Sequence, residues 1–269
     1  MICAETADQQ ILCDFCLRIV RPLIRLLDLP PLSDEVAPFS AAGRSAKPGT
    51  NAFISPRSFG CGCAALRLEC GSRGWEALLR LAALRIGGIL NVSSLARDAQ
   101  LSEPTARRYL NLLETLMVIH RLPPFLGNRS KRLIKSPKLY FADSGLAAHL
   151  AGVTELGTSP AEPLRGPLLE NYVLQNLRAA LEPHLVGARF YFWHEQGRQE
   201  VDFVIEHGRK LVAVEVKATG RLNMDDTRSL RDFLRRTPSC VAGVLTYFGE
   251  EILPLGETTW AVPLHCLLS

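Results

Sequence analysis

Asp202, Glu215 and Lys217 are the side chains whose types and spacing best fit a single chemistry. They fall within QEVDFVIEHGRKLVAVEVK, residues 199–217. Val201, Phe203 and Ile205 alternate with Glu200, Asp202 and Val204, and Val212, Val214 and Val216 alternate with Ala213, Glu215 and Lys217. A period of two on either side of His207-Gly208 predicts two paired strands. A four-residue loop over His207 to Lys210 sets Asp202 directly opposite Glu215, and a two-residue loop leaves them diagonal. Both registers keep the pair on one face, because strand side chains alternate. Two neighbouring carboxylates repel unless a cation lies between them. That is the charge pattern of a Mg²⁺ site, which takes oxygen ligands and often only one or two protein carboxylates. Lys217 shares the face of Glu215 and is placed to hold an attacking water or a phosphate oxygen. The bland alternative is a solvated strand face, where charges alternate with valines on an antiparallel sheet.

The surrounding elements bear on that choice. PLLENYVLQNLRAAL reads as a helix. Val173, Leu174 and Leu177 lie three, four and seven positions after Glu170, which sets Glu170 near the buried face. A carboxylate there needs a cation or a donor, or else stands at the edge of the stripe and reaches water. FYFWHE and the two hairpin arms give three strands. Asp225–Arg236 is a polar-faced helix, CVAGVLTYF another strand, and a short apolar tail follows. The order α-β-β-β-α-β over residues 164–269 predicts a mixed α/β domain.

Residues 75–152 read differently. WEALLRLAALRIG forms a helix ending near Gly87-Gly88. Ser93 or Ser94 caps a short helix burying Leu95 and Ala96. Ser102 caps the next, with Pro104 in its first turn and a core face of Ala106, Tyr109, Leu110, Leu113, Leu116 and Met117. The tight Gln100-Leu101 connection makes the pair a helix-turn-helix. Val118–Leu122 and Lys138–Ala142 are strands around a basic loop, the placement of a wing. Arg107 and Arg108 sit on the second helix, while Arg129, Lys131, Arg132, Lys135 and Lys138 crowd the wing. Such a patch predicts salt-sensitive DNA contact, with solvated arginines and protein contacts as the alternative. Asp143 is an N-cap for SGLAAHL.

Residues 1–74 carry no chemistry that the pattern reveals. One amphipathic helix over residues 11–27 precedes an irregular leader rich in Pro, Gly and Ser. Of eight cysteines, six precede residue 75. Without a secretory signal they are not expected to form disulfides. Cys13-x-x-Cys16 and Cys61-x-Cys63 permit a zinc reading, but Cys13 and Cys16 lie on an apolar helical face, where thiols act as small hydrophobes. The six histidines show no ligand spacing. The net charge of +4 is only mildly basic, so it does not by itself imply nucleic acid. No apolar run spans a bilayer, and a cytoplasmic protein without membrane contact is the expectation.

The hairpin acids followed by a lysine resemble the PD-(D/E)xK nuclease-like fold. The wider set LLRLAALRIGGILNVSSLARDAQLSEPTARRYLNLLE, KSPKLYFADSGLAAHLAG, GPLLENYV and EVDFVI…VEVK resembles the C-terminal half of a large prokaryotic family of AAA-type ATP-binding proteins. In that family a winged-helix segment precedes a nuclease-like domain, mostly of unknown function. The resemblance implies that Asp202 and Glu215 hold a metal, with Lys217 orienting water and Glu170 as an accessory acid. It implies DNA, and a separate ATPase or other protein, as partners. The usual proline before the first acid is replaced by Val201. No G-x-x-x-x-G-K-[ST] sequence occurs, so no ATP site is predicted, and the chain reads as a separated C-terminal half with an unrelated leader. Catalysis does not follow from the fold; the leading expectation is a DNA-associated protein, a winged-helix segment plus a nuclease-like domain, which if active hydrolyses phosphodiesters by Mg²⁺-activated water, and the rival is a non-catalytic DNA- or protein-binding module on the same scaffold.

Overall fold

The computed structural model describes residues 73–127, 135–153, 163–195 and 199–268. The leader helix, both N-terminal cysteine pairs, Arg129, Lys131 and Arg132 lie outside these residues. The described residues form an α/β fold.

Three helices come first: α1 (Arg73–Ala83), α2 (Val92–Asp98) and α3 (Glu103–Thr115). The cap of α2 is Asn91, whose side chain accepts from the Ser94 amide at 2.9 Å, rather than a serine. An Asn carbonyl one residue outside the helix reaches that amide, whereas Ser93 and Ser94 are already helical. Ser102 caps α3 by accepting from Thr105 N at 3.3 Å. Ala106, Tyr109, Leu110 and Leu113 are buried as the stripe predicts. Leu116 and Met117 are not: α3 ends at Thr115, and Met117 turns left-handed at φ 55°, which points the chain away.

Strands β1 (Ile119–Leu122) and β2 (Lys138–Phe141) pair antiparallel. The outer edge of β2 is occupied. Leu139 N donates to Gly88 O at 3.0 Å and Leu139 O accepts from Gly87 N at 2.8 Å. Gly87, at φ 73°, permits that approach. Helix α4 (Ser144–Ala151) follows, its N-cap Asp143 accepting from Leu146 N at 2.5 Å.

Helix α5 (Arg165–Leu181) then locks onto β2 through its own side chains. Asn171 Oδ1 accepts from Phe141 N at 2.7 Å, and Gln175 Nε2 donates to Phe141 O at 2.7 Å. Asn171 Nδ2 also donates to Ser144 Oγ at 2.8 Å. A fully buried Asn with no partner would cost about 1–3 kcal/mol, so these bonds explain its place among leucines.

The main sheet holds β3 (Arg189–Glu195), β4 (Gln199–His207), β5 (Lys210–Val216), β6 (Cys240–Tyr247), β7 (Leu253–Gly256) and β8 (Thr259–Pro263), in the order β3-β4-β5-β6-β8-β7. The first three strands are antiparallel, β5-β6 and β6-β8 are parallel, and β7 closes the edge antiparallel to β8. A 3₁₀ turn, Met224–Thr227, and helix α6 (Arg228–Arg236) cross from β5 to β6. The expected apolar tail is instead the β7–β8 hairpin and a short helix α7 (Leu264–Leu268). Thr259, Ala261, Val262 and Pro263 are buried because β8 lies inside the sheet, between β6 and β7.

One apolar cluster runs through α1–α5, β1, β2 and one face of the sheet, from Trp75 and Leu110 to Phe203, Val214 and Val262. A second, built on Leu230 and Phe233 of α6, covers Val204, Ala213 and Leu245 on the sheet. The helices before residue 152 and the sheet after residue 164 are thus parts of one packed body, further joined by Phe192 N donating to Pro123 O at 3.1 Å. No helix among the described residues is long and apolar enough to cross a membrane.

Candidate functional site

The β4–β5 turn sets the geometry. Gly208-Arg209 forms a two-residue turn, with φ 61° at Gly208 and none of the left-handed strain at Arg209. A glycine at the first central position is what a type II′ turn needs. The pairing runs from His207↔Lys210 to Phe203↔Val214. One step further along that register, Asp202 faces Glu215. The turn is two residues long, yet it gives the opposed register, because it begins one residue later than His207-Gly208.

Beyond Phe203 the ladder gives way to side chains. Asp202 Oδ2 accepts from Val216 N at 2.7 Å. Lys217 Nζ donates to Glu215 Oε1 at 2.9 Å. Asp202 is 7% exposed and Glu215 4%, so neither lies on a solvated strand face. Glu215 Oε2 is buried with no hydrogen-bond partner.

Four further residues join them. Glu170 approaches from α5, and Tyr140 donates to its Oε2 at 3.1 Å. Lys138 Nζ lies 3.6 Å from Glu170 Oε2 and forms a close ion pair with Glu200. Lys138 also sits over the Phe192 ring, 5.6 Å from its centroid. The sequence grouped Lys138 with the cations of the wing; it is in fact 4% exposed and belongs to the carboxylate cluster. It turns inward because β2 is packed between α5 and the start of β4, where Glu170 and Glu200 supply its counter-charge.

Charge and burial compete here. Burial pushes the Asp202 carboxyl well above the usual range, and the charges of Glu170 and Glu215 add to the push. Burial raises Glu215 to about 7, although Lys217 pulls the other way. Burial also raises Glu170, with Lys138 opposing it. Burial works against the Lys138 ammonium, but Glu170, Asp202 and Glu200 outweigh it and hold its pKa above the ordinary lysine value. Lys217 behaves likewise, with Glu215 overcoming burial.

The cluster is made of hard oxygen donors, the class a divalent cation takes. Four carboxylates (Glu170, Glu200, Asp202, Glu215) face two ammonium groups (Lys138, Lys217), leaving two negative charges when all are ionised. The orphaned Glu215 oxygen is a hard oxygen donor of the kind Mg²⁺ takes. Among the described residues no group of three or more His, Cys, Asp or Glu has metal-holding geometry. Asp202 and Glu215 are the two residues that could hold such an ion, with water completing the shell.

The expected nucleic-acid residues lie apart. Arg107 is exposed and paired with Glu103 at 2.7 Å. Arg108 is exposed and lies over Tyr109, 5.7 Å from the centroid. Lys135 is exposed and lines a cavity of about 960 Å³ with Trp193, Arg209 and Arg236. Sequence reasoning missed Lys138 and Tyr140 as site residues, and it missed Glu200. Alternation carried a signal for each: Glu200 shares the face of Asp202, and Lys138 and Tyr140 are two apart on one strand.

Two family models match the chain in series. A domain of unknown function, DUF8612, covers residues 73–157, and a second, DUF4143, covers residues 165–267. An uncharacterized protein of Mycobacterium tuberculosis is 32% identical over 183 residues, 68% of this chain and 40% of the relative. An uncharacterized protein of Mycobacterium bovis matches with the same figures. The chain thus spans 40% of the length of these curated relatives. Among solved structures, a type III CRISPR defence DNA nuclease activated by cyclic oligoadenylate is 23% identical over 43% of this chain and 18% of its own, with a TM-score of 0.30. The Thermococcus gammatolerans complex of McrB AAA+ hexamers with bound McrC is 14% identical over 71% of this chain and 72% of its own, with a TM-score of 0.27. Likenesses of that size carry no statement about activity.

Proposed function

We propose that the chain is a DNA-associated protein whose carboxylate site hydrolyses phosphodiesters with Mg²⁺. The observation that carries this reading is the buried pair Asp202 and Glu215, opposed across one hairpin, with Lys217 bonded to Glu215 and an oxygen of Glu215 left without a partner. Asp202 and Glu215 would hold a divalent cation, which when bound would supply electrostatic stabilisation to the phosphate under attack. Asp202 is fixed for that task by the Val216 amide. Lys217 carries a donor beside Glu215 that orients the attacking water. Glu170, held by Tyr140 and Lys138, bounds the other side of the cluster and accepts a proton there. Arg107, Arg108 and Lys135, with Lys131 and Arg132, contact the DNA backbone through salt-sensitive pairs.

Nicking of supercoiled plasmid in Mg²⁺ tests the reading. Wild type nicks, and Asp202→Ala does not; equal nicking by the two proteins sinks the proposal. The rival is a non-catalytic DNA- or protein-binding module on the same scaffold. Binding of DNA with no Mg²⁺-dependent cleavage by wild type is the outcome that selects it.

A further inference from the structure

Helix α6 presents a dense row of arginines that the basic patch of the first segment does not include. Arg228, Arg231, Arg235 and Arg236 are all exposed within nine residues. With Gln199 and Asp232 they line a groove of about 570 Å³. Arg228, Arg231 and Arg235 follow one another at three and four positions, so they form a single stripe. The groove starts at Gln199, three residues before Asp202 on the same strand.

We infer that this groove binds the sugar-phosphate backbone of a nucleic-acid strand. Its lining holds four guanidinium groups and one carboxylate. That carboxylate does not offset the row so much as fix it. Asp232 is buried and pairs with Arg235, and with Arg236 at 3.0 Å, which places two guanidinium groups on a rigid helix. Arg236 also bonds Glu195 on β3 at 2.5 Å, and Arg231 donates to Met224 O at 3.2 Å. Guanidinium groups present paired donors that match phosphate oxygens. The stripe from Arg228 to Arg235 covers about 10 Å of helix axis. That length corresponds to about three nucleotide steps of rise along a duplex axis. Among the described residues no apolar side chain lines the groove, so an acidic peptide would find charge there but no pocket for its side chains.

The test uses the full chain, EDTA and a fluorescein-labelled oligodeoxynucleotide, single-stranded and duplex, with binding read by fluorescence anisotropy across a salt series. Arg228→Ala/Arg231→Ala/Arg235→Ala is expected to lose at least about tenfold in affinity, with a salt slope shallower by about two to three. Arg231→Glu, an exposed single change, is expected to lose affinity in the same direction. If the triple variant fails to fold, that single change decides the matter. Wild-type affinity and salt slope in Arg231→Glu overturn the inference. So does displacement of the oligonucleotide by polyglutamate as readily as by unlabelled DNA, which would mark an acidic-protein surface. Glu257→Gln, an exposed change in the β7–β8 turn, is expected to bind like wild type; because binding is read in EDTA, the groove stands or falls separately from phosphodiester hydrolysis.

Discussion

Two antiparallel strand pairs deliver charge to the same place by different routes. The β4–β5 hairpin brings Asp202 and Glu215 together through a two-residue turn, and local chain geometry does the work. The β1–β2 pair brings Lys138 and Tyr140 to Glu170 and Glu200, residues 32 and 62 positions further along from Lys138. Nothing local places them. Side-chain bonds from Asn171 and Gln175 clamp β2 against α5, and that clamp sets the lysine. The acids are thus positioned by a turn and their internal cation by tertiary packing. The cluster should tolerate damage to the turn's surroundings better than damage to the clamp.

Several measurements break or sharpen this contrast. Lys138→Met strikes the long-range arm hardest. It leaves Glu170 and Glu200 without their buried cation, and a loss of about 3–5 kcal/mol in urea unfolding is expected. A loss under about 1 kcal/mol would show that the carboxyls simply take up protons instead. Next comes Glu215→Gln, on the local arm and opposite in sign. The Glu215 carboxyl titrates near 7 when folded and near 4.5 ordinarily, so the folded state holds the extra proton between those values. Stability from this group is full below about 4.5 and is lost as pH rises through about 7. The Gln variant should therefore match wild type at pH 4 and exceed it at pH 8 in EDTA, by up to about 3 kcal/mol. Added Mg²⁺ should narrow the gap by stabilising wild type alone; a gap indifferent to pH would show that the burial of Glu215 carries no charge penalty. Asn171→Ala tests the clamp itself. The buried Phe141 amide loses its acceptor, for about 2 kcal/mol. The telling comparison is with Gly208→Ala, which strains a left-handed turn residue by about 1 kcal/mol. If the turn variant costs more than the clamp variant, the ranking of the two arms is reversed. Smallest of all, Arg107→Ala should leave the unfolding midpoint unchanged, since its pair with Glu103 is exposed.

The acids of the hairpin were legible because their pattern is local. A period of two and one glycine suffice to put Asp202 and Glu215 on one face. Glu170 was legible through helical spacing, since Val173, Leu174 and Leu177 mark the buried side. Lys138 was not, because a lysine beside a run of basic residues reads as solvated until its acidic partners are known in space. The arginines of α6 were visible as a polar face, but the groove they form with Gln199 depends on how that helix crosses the sheet. The β7–β8 hairpin was missed for a different reason. Its strands are four and five residues long, and the inner one is buried almost throughout, which removes the alternation that would have announced it.

The clamp on β2 has one more consequence. On that strand's outer side, Pro137 O accepts from Leu90 N, Leu139 bonds Gly87 and Gly88, and Phe141 bonds Asn171 and Gln175. A two-stranded sheet ordinarily leaves its rim open to a foreign strand. Here turn amides and helix side chains occupy that rim, so β2 has no open edge for strand exchange or fibril growth. The amide protons of Leu139 and Phe141 should accordingly exchange with solvent as slowly as those in the middle of the six-stranded sheet.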